Sequence, residues 1–496
     1  MTDTRHQDVW LGVDLGTQSV RAVAVTGDGH VLGRGSAPLA GHRDRDRHEQ
    51  LPSDWWESAG AAMRRTLRHL SASSVRGVAV CSTSGTVLLT DSRGTPLTPA
   101  LMYDDGRAAA EARYAQETGA DVWRSLGHRI QPSWALAKLL WLTQPGPDGV
   151  APGLRGARVC HQADFITSRL VGRPVPTDSS HALKTGYDVD TRTWPTAVHD
   201  RLGLSGLDFP AVVAPGTVLG TVCRTAADDT GLAEGTPVVA GMTDGCAAQL
   251  GSGAWDVGQW NTVLGTTLVL KGVTATPLRD PAGVLYNHRS PDGYWLPGGA
   301  SSVGAGALTL AFPGADLARL DRLAAHREPA SVVAYPLVSR GERFPFLAAD
   351  AEAFVLGRPA DDADHHAALL QGIALVERLC LAYVRLLGAP VDGPVTLTGG
   401  ATRSPYWNQL RADVLGRTVA IPAHADSALG MAVLAAHGVT RTPLSAARAM
   451  VGDRTVLDPR PQAGRCFAEP FLTLVDALEG RGWLPSKTAA YAREHG

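Results

Sequence analysis

"WLGVDLGTQSVRAVAV" (residues 10–25) reads as a strand, a tight tip at Asp14–Leu15–Gly16–Thr17, and a returning strand. A hairpin tip points backbone N–H groups into one concavity, which is an anion site. Gly16 lets a phosphate approach the main chain, and Thr17 adds a hydroxyl donor. Asp14 is too negative to touch phosphate itself but suits Mg²⁺, held through waters. An ordinary β-turn draws on the same residue types, so this tip alone leaves both readings open.

An echo half a chain later changes the weighing. "TVLGTTLVLKG" (262–272) is again strand, tip and strand; Gly265, Thr266 and Thr267 repeat the glycine and hydroxyls, while Val263 stands where Asp14 stood. Two phosphate-gripping hairpins and one metal-holding carboxylate suit a polyphosphate between two similarly folded domains. A chain of 496 residues is also long for a single core. The boundary is expected near "GSGAWDVG" (251–258), giving domains 1–256 and 257–496.

Both halves mix hairpins with helices, the pattern of an α/β protein. "SDWWESAGAAMRRTLRHL" (53–70) is expected to be a helix capped by Ser53, and "VRGVAVCSTSGTVLLTD" (75–91) a strand, polar turn and strand. In "VVAGMTDGCAAQLGSG" (238–253) a helix of small residues begins at Gly245, with Asp244 at the N-cap position. A carboxylate there can be a cap, or it can accept a proton from an attacking hydroxyl. "VTLTGGATRSPYWNQL" (395–410) is a buried strand running through Gly399–Gly400 into a helix, and "PGGASSVGAGAL" (297–308) is a second small-residue turn. "DHHAALLQGIALVERLCLAYVRLLG" (364–388) reads as the longest amphipathic helix, with His365 and His366 solvated at its start.

Composition narrows the classes. Net charge is −2 with scattered basic residues, so nucleic acid is not an expected partner. "MTDTRHQD" (1–8) has no apolar segment, and no apolar run reaches bilayer length, so a membrane is not expected either. Six cysteines stand far apart without a CxxC pair, which reads as reduced thiols and a cytoplasmic home. The chain has no Gly-Lys dipeptide for a Walker loop, no GxGxxG after its first strand, no HExxH and no GxSxG.

Taken together these stretches resemble the FGGY carbohydrate kinases of the actin-like ATPase superfamily, over nearly the whole chain. "GVDLGTQSVRAV" and "VLGTTLVLK" look like the two phosphate motifs, "TLTGGATRSPYWNQLRADVLGRTVAIP" like the adenosine motif, and "AGMTDGCAAQLGSGA" like the segment carrying the catalytic aspartate. Within the family, "HQADFITSRLVG", "TDSSHALKTGYDVD" and "PLVSRGERFPF" are most similar to the D-ribulose kinases of cyanobacteria and plant plastids. Xylulose kinases carry Gln-Met-His-Gly in the sugar loop, where this chain has Ser82–Thr83–Ser84–Gly85. Cys81, in place of an acidic residue, and "LMYDDGR" (101–107), nearer the xylulose-kinase pattern, depart from the ribulose group.

The resemblance implies two actin-like (ribonuclease H-like) ATPase domains with a nucleotide cleft between them. It implies transfer of phosphate from Mg·ATP to the terminal hydroxyl of a ketopentose, D-ribulose first and D-xylulose or a related polyol as the alternative. Asp244 matches the catalytic base, also touching substrate; Asp14 matches the metal- and substrate-side aspartate; Ser84 and Asp104 match sugar contacts. Gly16, Thr17, Gln18, Gly265, Thr266, Thr267 and Gly304 match the phosphate side of the ATP site, and Gly399, Gly400, Ala401, Ser404 and Asn408 the adenosine pocket. Phosphoryl transfer is largely positioning and charge stabilisation, with domain closure excluding water. A monomer or homodimer is implied. A non-sugar actin-like ATPase is the rival from another class, and a dinucleotide dehydrogenase is disfavoured by the missing glycine fingerprint.

Overall fold

A computed structural model describes residues 8–144 and 151–496, so most of the N-terminal "MTDTRHQD" lies outside the described residues. The chain forms two compact α/β units. The first takes the chain to Gly253 together with His288–Gly293 and His424–Gly452; the second takes Ala254–Asn287, Tyr294–Ala423 and Asp453–Gly496.

In the first unit, Val9–Leu15 pairs antiparallel with Ser19–Thr26, which pairs antiparallel with Val31–Pro38. On its other side Val9–Leu15 runs parallel to Val75–Ser82, which runs parallel to Pro237–Val239; Val218–Thr221 closes that edge antiparallel. Every residue of Val9–Leu15 is buried, as expected of a central strand covered on both faces. A smaller five-stranded sheet, made from His42–Asp44, Arg47–Gln50, Ala100–Leu101, Val87–Thr90 and Arg158–His161, stands beside it.

The second unit repeats the plan. Trp260–Leu264, Leu268–Gly272 and Trp295–Ser301 form the antiparallel meander. Val395–Thr398 and then Val419–Pro422 continue in parallel, and Arg454–Leu457 closes the edge antiparallel. The expected echo is therefore a repeat of whole sheets.

Three expectations are corrected. The helix at 53–70 runs Pro52–Leu67 and starts behind Leu51; Ser53 is not its cap but donates to Asp54 (3.2 Å), and Pro52 supplies the preset φ of a first turn. The helix read as amphipathic, Asp362–Leu386, is the one described helix long and apolar enough to cross a bilayer, yet 94% of its apolar window is buried. It is the core helix of the second unit, with Glu377 and Arg411 paired through two bonds of 2.7 and 2.8 Å at its centre. His366 is not solvated but fully buried on that helix.

The single crossing expected near residue 256 also differs from the chain's path. Ser427–Thr440 packs against the first strand and against the helix Asp244–Ser252, and so returns to the first unit. Its small residues permit backbone contact: a Cβ at Gly12 would lie 1.7 Å from the Ala428 carbonyl oxygen.

Candidate active site

Both hairpin tips are three residues long. Gly16 N–H donates to the Ser19 carbonyl and Gly265 N–H to the Thr267 carbonyl, each at 3.1 Å. In the first tip Gly16 and Thr17 are half-buried and Gln18 is exposed; the Thr17 carbonyl accepts from Gln50 Nε2 and the Gln18 carbonyl from the Leu39 N–H.

Asp14 ends the first strand opposite Arg21 and beside Cys81. The Cys81 thiol donates to Asp14 Oδ1 at 3.4 Å. Burial first, then the negative charge of Asp244, pushes the Asp14 carboxyl up to about 7. A nearby cation would favour the ionised carboxylate, and an oxygen donor of this kind suits a hard divalent ion. Among the described residues no group of three or more His, Cys, Asp and Glu is placed to hold a metal ion.

Asp244 is the first residue of its helix, not the cap. Thr243 occupies the cap position, and the Asp244 carboxylate accepts the N–H of Gly245 (2.7 Å). A carboxylate in the first turn lies at the positive end of the helix dipole. The strand ends set the spacing: Asp14 lies beside Cys81, and Ser82 bridges Thr243, so the two carboxylates share one wall of the first unit.

The loop after Val75–Ser82 is held from below. Thr83 donates its N–H (3.3 Å) and hydroxyl (2.9 Å) to Gln162 Oε1, and Lys184 reaches the Ser84 carbonyl (3.1 Å). Lys138, fully buried, donates to the Gly85, Met102 and Ser133 carbonyls. Burial first, then Lys184, pulls its ammonium down to about 7. Ser84 Oγ is buried and has no partner, a donor awaiting an acceptor. Asp104 is engaged by Arg43 and by His48 (2.7 Å), and these hydrogen bonds outweigh burial and hold it below the ordinary carboxylate range. It stays next to the loop because Tyr103 N–H donates to Thr86 Oγ1 (3.0 Å). Asp105 is buried in a bidentate pair with Arg107 and is no substitute base.

In the second unit a cavity of about 720 Å³ is lined by Gly265, Thr266, Gly400, Ala401 and Ser404 among others, bringing five expected residues together. That volume suits a nucleoside-sized ligand. The remaining four lie behind its wall. Gly399 has φ +91°, and a Cβ there would sit 2.5 Å from the Leu264 carbonyl; a Cβ at Gly304 would sit 2.3 Å from the Thr266 carbonyl. Thr267 closes the tip, and Asn408 donates to the Thr402 carbonyl (2.8 Å), fixing the turn. Ser404 caps the helix Pro405–Leu415 by accepting the Trp407 N–H (3.1 Å).

Sequence reasoning missed the cavity's anchor. Asp321 accepts Ser404 Oγ–H (2.6 Å) on one oxygen and contacts His366 Nε2 (2.8 Å) with the other. Asp321 sits in an ordinary amphipathic stretch, and no local pattern announces it or its partner His366, whose expected place at a solvated helix start the fold contradicts.

Comparison with known proteins identifies the family. Residues 9–251 match the model of the FGGY family of carbohydrate kinases, N-terminal domain, and residues 260–439 match its C-terminal domain. A xylulose kinase of Streptomyces coelicolor is 33% identical over 86% of this chain and 87% of its own length, and one of Escherichia coli is 27% identical over 86% and 89%. The crystal structure of xylulose kinase from Rhodospirillum rubrum superposes with a TM-score of 0.83 at 26% identity, covering 95% of this chain and 99% of that one. With both domain models matched in order and a third of residues shared with a full-length relative, the chain belongs to the FGGY family of carbohydrate kinases.

Proposed function

We propose that this sugar kinase transfers the γ-phosphoryl group of Mg·ATP to the terminal hydroxyl of a ketopentose. The observation that carries the reading is the wall of the first unit, where a helix-start carboxylate, Asp244, stands beside the buried Asp14 and near an unpartnered Ser84 hydroxyl. Asp244 orients the sugar's primary hydroxyl and takes its proton as the bond to phosphorus forms. Asp14 would hold Mg²⁺, which would supply charge neutralisation for the transferring phosphoryl group. The N–H groups and hydroxyls of the two tips grip phosphate oxygens, and the cavity against Ser404 takes the adenosine.

Two sugars compete. The loop Ser82–Thr83–Ser84–Gly85, without a histidine, favours D-ribulose. The named relatives are xylulose kinases and favour D-xylulose. Coupled ADP release across a panel of ketopentoses and polyols decides between them; a tenfold higher kcat/KM for D-xylulose would reject D-ribulose. Asp244→Asn tests the base. It keeps the shape and the contact to Gly245, so the melting temperature and ATP affinity stay near wild type while kcat falls by about 10²–10⁴. Retention of more than about a tenth of kcat excludes Asp244 as base.

A further inference from the structure

Behind Thr243–Asp244 lies a buried polar cluster that reaches Ser82, the first residue of the proposed sugar loop. Asp178 Oδ1 accepts the N–H groups of Ser180 (2.8 Å) and His181 (3.1 Å) and the Ser180 hydroxyl (2.6 Å). Its Oδ2 meets His181 Nδ1 at 2.5 Å. The far side of the imidazole, Nε2, contacts Ser82 Oγ at 2.9 Å, and Ser180 Oγ accepts the Thr243 N–H at 2.8 Å. Ser82, Ser180 and His181 are fully buried and Asp178 is 3% exposed.

An apolar core would be at least as stable as a buried ion pair, so a fully satisfied polar cluster at this spot calls for a reason. Its two outer contacts supply one. Ser82 and Thr243 are bridged neighbours on parallel strand ends, and each is gripped by one arm of the cluster. Burial pulls the His181 imidazole down, but the Asp178 carboxylate outweighs it and raises the ring above its ordinary value. A protonated His181 donates from both nitrogens, to Asp178 and to Ser82.

We infer that Asp178, Ser180 and His181 are positioning residues, clamping Thr243 against Ser82 so that the next residue, Asp244, is aimed at the sugar hydroxyl. The inference rests on Asp244 as base. Small misplacements of a catalytic group are expensive in rate, so loosening either arm lowers kcat by about ten- to a hundredfold.

The test uses Ser180→Ala and Ser82→Ala, each alone and combined with Asp244→Asn, in the full chain. Both are small deletions that leave the Asp178–His181 pair intact; Ser82→Ala carries the test should Ser180→Ala fail to fold. In each single variant kcat falls about tenfold or more, with KM for ATP within about twofold of wild type and a melting transition still present. In the Asp244→Asn background neither deletion lowers the residual rate further, because no base remains to be aimed. Wild-type kcat in both single variants overturns the clamp, as does an equal fractional loss with and without the Asp244 carboxylate. Should Asp244→Asn alone keep more than a tenth of kcat, the base assignment falls first and the clamp with it.

Discussion

The two hairpins, Val9–Thr26 and Trp260–Gly272, have tips of equal length, each closed by a hydrogen bond from its glycine N–H, to Ser19 in the first and to Thr267 in the second, and the same place in their sheets. They differ in what flanks the tip. Asp14 stands beside Cys81 in the first, and Val263 stands beside Thr398 in the second. The strand next door also leads to different ends: Val75–Ser82 into a polar loop with an unpartnered hydroxyl, Val395–Thr398 into the left-handed Gly399 and the cavity. Anion binding by main-chain N–H groups comes with the backbone and is duplicated with it. The proposed metal carboxylate and the proposed sugar loop depend on side chains and appear once.

The sharpest way to break this asymmetry is paired substitution. Asp14→Ala should lower kcat by about 10³ or more, since the metal's charge is worth several kcal/mol, whereas Val263→Ala should change it less than about threefold. Equal losses, measured by ADP release at saturating Mg²⁺, would mean that the tips are functionally alike. The glycines give a second contrast. Gly399→Ala meets both a positive φ and the Leu264 carbonyl, so it should destabilise the second unit by about 1–3 kcal/mol and raise KM for ATP. Gly265→Ala finds nothing within 4 Å and should leave the melting temperature close to wild type.

On the sugar side the expected effects are smaller. Ser84→Ala removes one hydroxyl contact and should raise KM for the sugar by about fivefold to tenfold, leaving KM for ATP unchanged. Lys138 offers a pH test. Its folded-state value of about 7 lies below the ordinary lysine value of 10.5, so the unfolded chain binds the extra proton between them. Wild type should therefore gain stability relative to Lys138→Met as pH rises from about 7 towards 10, by at most about 1.4 kcal/mol per pH unit. A flat difference in denaturation midpoints across that range would show that the three carbonyls keep the ammonium fully charged.

Periodicity and turn residues made the sheets legible, because Val9–Leu15 and Val395–Thr398 are buried strands whose apolar runs end at glycine-bearing tips. The echo revealed the repeat because tip geometry constrains which residues fit. What stayed hidden depended on partners distant in sequence. Asp321 and His366 meet only in the folded second unit, and Asp178 reaches Thr243 only through Ser180. The path of Ser427–Thr440 was equally unreadable: its small residues announce close packing but not which strand it will cover. Asp244 was misplaced by one position because Thr243 and Asp244 are both good caps, and only backbone dihedrals separate them.

That returning helix has a consequence for how the protein is made. The wall bearing Asp14 and Asp244 is backed by Ser427–Thr440, which is complete only once residue 440 of the 496 has been synthesised. Until then the nascent first unit has an uncovered apolar face along Val9–Leu15, the kind of surface that chaperones bind and that aggregates when left alone. A fragment ending at Gly253 should accordingly be insoluble or loosely folded. A peptide spanning residues 424–452, supplied in trans, should rescue it, as a missing stave closes a cask.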